Sequence, residues 1–111
     1  MDKDRMLYIL ATFQSLVGLE GYTISLTESP HDNDGAAEVK SNIYEKTLDI
    51  DLKKKFYELD DKGQRNVLIH ELVHARVEIS QLHARVLIEH TEELLVNDIV
   101  RGLELLEPDL Q

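Results

Sequence analysis

The stretch "NVLIHELVHARVE", Asn66 to Glu78, decides how this chain is read. Leu68, Ile69, Leu72 and Ala75, with Ile79 just beyond, recur at three- and four-residue intervals. That is the apolar face of an α-helix. His70 and His74 stand four apart, so on such a helix they project from one face about one turn apart. At that separation both imidazoles can reach one metal ion. Glu71 sits about 100° round from His70 and can serve a water at the metal without being a ligand itself. Burying the leucine face would leave His70, Glu71 and His74 turned toward a cavity.

Working outward, the upstream half alternates between two periods. "DRMLYILATFQSLVG" spaces Met6, Leu7, Leu10, Phe13, Leu16 and Val17 as an amphipathic helix, and Gly18 is a natural stop. "YTISLT" alternates Tyr22, Ile24 and Leu26 with Thr23, Ser25 and Thr27, which reads as a half-buried strand. "ESPHDNDGAA" is turn chemistry. Its "DNDG" is no calcium loop, because the first and last ligand positions fall on Pro30 and Ser41. A second extended region covers Val39 to Leu52. Within it "TLDIDL" sets Leu48, Ile50 and Leu52 against Asp49 and Asp51, a strand with one wet face.

Two helical blocks follow. Asp60 and Asp61 suit the N-terminus of the first. The second, from about His90 to Leu106, carries Leu95, Val96, Ile99, Val100, Leu103 and Leu106 on one side and ends at Glu107-Pro108. The expectation is one α+β domain over residues 1–111. It has an N-terminal helix, a small, mostly antiparallel sheet, a helix bearing the histidines and a C-terminal helix bearing glutamates.

Composition narrows the function classes. Twenty-two acidic residues against twelve Lys and Arg give a net charge of −10, which repels phosphate backbones. A helix-turn-helix built from the last two blocks would present Glu92, Glu93, Asp98 and Glu104 with only Arg101 as a cation, so no nucleic-acid partner is expected. Lys53-Lys54-Lys55 reads as a solvated helix start. With no cysteine, disulfides and thiolate zinc sites are excluded. There is no leader-like start and no apolar run near the ~18 residues of a membrane span, so a cytoplasmic protein is expected.

Zinc held by two histidines calls for one more protein ligand in a catalytic site. "HTEELLVNDIV" offers His90, Glu92, Glu93 and Asp98. "HELVH" followed by "EELLVND" resembles the gluzincin metallopeptidases, closest to the very small prokaryotic and phage-type minigluzincins and the ImmA/IrrE-like group. The resemblance covers a little over the second half of the chain. It implies a zinc-dependent peptidase acting on a peptide or protein substrate, with His70, His74 and Glu93 as metal ligands and Glu71 as the catalytic base. Glu92 is the rival third ligand, and Asn97 would steer a ligand histidine. It also implies a sheet strand just before the metal helix that offers its edge to an extended peptide, the place "TLDIDL" occupies. Asp49 and Asp51 would then favour a basic or polar substrate segment. The oxyanion-stabilising residue is left open among His83, His90, Tyr44 and Tyr57. A zincin-fold module without turnover, binding a partner, is the competing expectation.

Overall fold

The computed structural model describes residues 1–106, with side chains described for residues 1–94, 96 and 97. The elements are α1 (Lys3–Leu16), β1 (Thr23–Ser29), β2 (Ala37–Asn42), β3 (Thr47–Lys53), α2 (Lys54–Tyr57) and α3 (Asp61–Leu106). The chain divides into two units, Met1–Ile79 and Ser80–Gln111. Among the described residues no helix is long and apolar enough to cross a membrane.

In the first unit α1 starts at Asp2, whose carboxylate accepts a hydrogen bond from the Arg5 backbone N–H at 2.8 Å and so satisfies a free donor of the first turn. It buries Met6, Ile9 and Leu10, whereas Leu16, expected in its apolar stripe, is exposed. The helix ends at Val17, and Gly18 follows with φ 74°, a left-handed conformation that a side chain disfavours. The extended region from Val39 to Leu52 resolves into two strands joined by a tight turn. There Asn42 Oδ1 accepts from the Tyr44 and Glu45 backbone N–H groups, both at 3.0 Å.

The sheet is mixed rather than mostly antiparallel. Its order is β1-β3-β2, with β1 parallel and β2 antiparallel to β3. The most apolar strand takes the centre: Leu48, Ile50 and Leu52 on β3 are fully buried, while β2 offers only Ala37, Val39 and Ser41 on the matching face. "TLDIDL" is therefore paired on both sides and has no free edge for a peptide. Its outward acids are engaged from β1. Asp49 Oδ1 accepts from Ser25 and Thr27 at 2.9 Å each, and Asp51 Oδ1 from Ser29 at 2.7 Å. That removes the support for reading them as substrate-selecting charges.

The free edge near α3 belongs to β2. The Lys53 backbone N–H donates to the Ala36 carbonyl at 2.8 Å. Alternate residues of β2 then bond to β3, leaving the backbone groups of Ala37, Val39 and Ser41 pointing away from it.

The Lys54 backbone N–H also donates to the Asp32 carbonyl at 2.9 Å, tying the loop before β2 to the end of β3. Lys53 reinforces this tie. Its buried side chain brings Nζ to 3.2 Å from Glu38 and 3.6 Å from Asp32. Of the three expected solvated lysines it is thus the exception; Lys54 and Lys55 are exposed.

The core joins α1, β3, Phe56 of α2 and the buried stripe Leu68, Leu72, Ala75 and Ile79 of α3. Asp60 opens α3, its carboxylate accepting from the Gly63 N–H at 2.8 Å. The two expected helical blocks form one helix, for a physical reason. Gln81 to Glu89 contains no Gly, Pro, Asn or Asp to break it. Leu95, Ile99, Val100, Leu103 and Leu106 of the expected C-terminal stripe, and the Glu107-Pro108 stop, lie outside the described side chains or residues.

Two adjacent substitutions test this packing. Leu72→Ala should cost about 2–5 kcal/mol in urea unfolding, because Leu72 is fully buried. Val73→Ala, at a position 45% exposed, should stay within about 0.5 kcal/mol. A second prediction concerns Lys53, whose pKa is raised above the ordinary lysine value by the hydrogen bond to Glu38, against burial and with help from Asp32, Glu38 and Asp34. A cation whose pKa rises on folding contributes fully below its unfolded value and loses that contribution as pH climbs through the folded one. Lys53→Met should therefore lower the thermal midpoint at neutral pH, and the gap to the wild type should narrow above the ordinary lysine range.

Candidate metal centre

Rotation of α3 about its axis is set by burial. With Leu68, Leu72, Ala75 and Ile79 turned into the core, His70 and His74 fall on the outer side and are exposed. Glu71 lies at the boundary, roughly 70° from the middle of the buried stripe, and is half-buried.

The two imidazoles converge. His70 Nε2 and His74 Nε2 are 2.8 Å apart, with ring centroids 4.4 Å apart and planes inclined at 74°. Without a metal, one ring donates and the other accepts. Zinc bonded to both at about 2.0–2.1 Å in tetrahedral geometry would set the nitrogens about 3.3 Å apart, a small opening of two exposed side chains. The pair thus fits two ligand positions of one ion.

His70 and Glu71 line a cavity of about 340 Å³ with Asn66, Val67, Ala36 and Ala37. Ala36 and Ala37 are held there by the tie of their loop to β3. The walls are small and apolar apart from three groups, His70, Glu71 and Asn66. Burial pushes the Glu71 carboxyl above its ordinary value; the neighbouring charges of His74 and His70 and the backbone amide of Val39 oppose this, and Glu38 adds to it. Val39 is one of the residues whose backbone faces away from β3, so the free edge of β2 runs beside Glu71.

Two of the remaining expected residues lie elsewhere in the first unit. Tyr44 is exposed in the β2–β3 turn, and Tyr57 packs edge-on against Phe56 in α2, so neither lines this cavity. His83, His90, Glu92, Glu93 and Asn97 are exposed side chains of the second unit. Among the described residues no group of three or more His, Cys, Asp or Glu side chains is placed to hold one metal ion. Sequence reasoning missed Asn66 and the β2 edge. Asn66 could have been found, since it precedes His70 by one helical turn, as His74 follows it. Comparison with known proteins finds no matching family model, no matching curated protein and no matching solved structure.

Proposed function

We propose that this chain is a minimal, gluzincin-type zinc metallopeptidase that hydrolyses peptide bonds. The observation that carries the reading is the convergence of His70 and His74 at 2.8 Å beside a half-buried Glu71 at the mouth of a cavity. His70 and His74 would hold zinc, and the resemblance names Glu93, with Glu92 as the rival, for the third position; nineteen residues, about 28 Å of unbroken helix, separate Glu93 from His74, so that role requires α3 to break between them. Bound there, the ion would supply Lewis acidity toward a carbonyl and make water a nucleophile near neutral pH.

The chain's own residues do the rest. The free edge of β2 receives the substrate as an added strand, with main-chain hydrogen bonds to Ala37, Val39 and Ser41. Ala36, Ala37 and Val67 give an apolar wall for a substrate side chain. Glu71 takes the proton of the attacking water as its oxygen joins the carbonyl carbon. It passes that proton to the leaving nitrogen as the C–N bond breaks. A carboxylate raised by burial is a stronger base for this step than an exposed one. Residence in the cytoplasm and the lack of a nucleic-acid partner belong to the same proposal, resting on the absence of cysteine and the charge of −10.

The second reading is a zincin-fold module that binds a partner without turnover. It is favoured by the lack of a third gathered ligand among the described residues. Metal content and cleavage of a generic unfolded protein separate the two. On the peptidase reading, the wild type binds one zinc and cleaves, and a chelator abolishes cleavage. Glu71→Gln keeps the zinc and loses about 10²–10⁴-fold in rate. His70→Ala and Glu93→Gln lose zinc affinity, and Glu92→Gln does not. A zinc-loaded wild type without cleavage points to the module; full activity in Glu71→Gln refutes the assigned base.

A further inference from the structure

Among the described residues, the second unit presents an exposed helical stripe. Ser80, Ala84, Leu87, Thr91 and Leu94 follow one another at intervals of four, three, four and three. That averages 3.5 residues, the spacing at which two helices pack along a common seam. All five are exposed, Leu87 at 65% and Leu94 at 51%, and Ile88 beside them is 58% exposed. Thr91 Oγ1 donates to the Leu87 carbonyl at 2.9 Å, so its hydroxyl proton does not depend on water. Ser80, Ala84 and Thr91 are small enough to let another backbone come close.

The placement of charge says what kind of helix fits. The positions flanking the seam are Gln81 and Ile88 on one side and His83, His90 and Asn97 on the other. None is acidic. Glu89, Glu92 and Glu93, the acids of this unit with described side chains, all fall on the remaining positions. The alternative stripe at the same spacing, Leu82, Val86 and Val96, is interrupted by Glu89 and Glu93.

In a chain of net charge −10, a second copy brings the same excess of acid to any shared surface. Only an acid-free face can be laid against itself. A basic partner would instead be drawn to the acids, which are kept off this stripe.

We propose that the stripe Ser80–Leu94 is a self-association surface, pairing with the same stripe of a second copy of this chain. Leu87 is the middle one of its five residues and meets its twin when the two helices run parallel and in register, the pairing proposed. The proposal is independent of the peptidase reading.

Sedimentation equilibrium of the full chain at near-physiological salt should give twice the 12.8 kDa chain mass at micromolar concentration. Leu87→Glu with Leu94→Glu should return the single-chain mass with an unchanged far-UV helix signal, while Val86→Glu should stay dimeric. Because the chain has no cysteine, Leu87→Cys supplies a second readout. It should form an intermolecular disulfide under mild oxidation, and Val86→Cys should not. A wild type of single-chain mass throughout that range, a double variant that stays dimeric, or Val86→Cys cross-linking in preference to Leu87→Cys would each overturn the proposal.

Discussion

Everything in the first unit depends on the burial of one face of α3 against β3. Leu68, Leu72, Ala75 and Ile79 meet a core built on Leu48, Ile50, Leu52 and Phe56, and none of these is more than 1% exposed. Burying each of the larger of these side chains is worth about 1.5–3 kcal/mol, so the helix has one rotational setting that far outweighs its neighbours. That setting places the polar residues. His70 and His74 are carried to the outside, where both can turn their Nε2 atoms toward a shared point. Glu71 is carried to the boundary, where it loses part of its hydration but keeps access to the cavity. The chemistry of the candidate centre follows from an apolar stripe that contains none of its residues.

The sheet makes a second contribution through strand order. Because β3 has the strongest apolar face, it is drawn to the centre, and β2 becomes the edge on the side of the cavity. The open backbone groups of Ala37, Val39 and Ser41 beside Glu71 follow from that order. Edge strands invite pairing with other chains, and proteins commonly blunt them with charge. Here Glu38 and Lys40 of β2 alternate with the inward residues and face solvent. The anchorage of the preceding loop by Lys53, with its ion pairs to Asp32 and Glu38, keeps Ala36 and Ala37 at the cavity wall.

Much of this was legible in the sequence, and the parts that were not share a cause. The α3 face, the α1 helix, the strand character of "YTISLT" and "TLDIDL" and the fit of Asp60 and Asp61 to the start of α3 all rest on local periodicity and local electrostatics. The pairing of His70 with His74 is local too, since four residues on a helix bring two side chains together whatever surrounds them. Strand order is not local. Which of two strands flanks the cavity depends on competition for the buried position, so "TLDIDL" was read as an edge when it is the centre. Leu16 failed for the same reason: its spacing suits the stripe, but it is left exposed while Phe13 of the same turn packs against the core. Glu93 differs from all of these. Its role as a ligand comes only from resemblance in "EELLVND", and an unbroken α3 carries it about 28 Å along the axis beyond His74.

A chain of net charge −10 must also dispose of its acids, and how it does so sets Glu71 apart. Asp2 and Asp60 are spent on free N–H groups at helix starts. Asp49 and Asp51 accept from the hydroxyls of β1. Asp32 and Glu38 share Lys53. In each case a donor within hydrogen-bond or ion-pair distance ties the carboxylate to the fold. Glu71 is different. Burial is the largest influence on it and works against its charge, opposed by His74, His70 and the backbone amide of Val39. On the proposed peptidase reading, the acid that burial works against is the one placed beside the histidine pair and assigned to carry the proton.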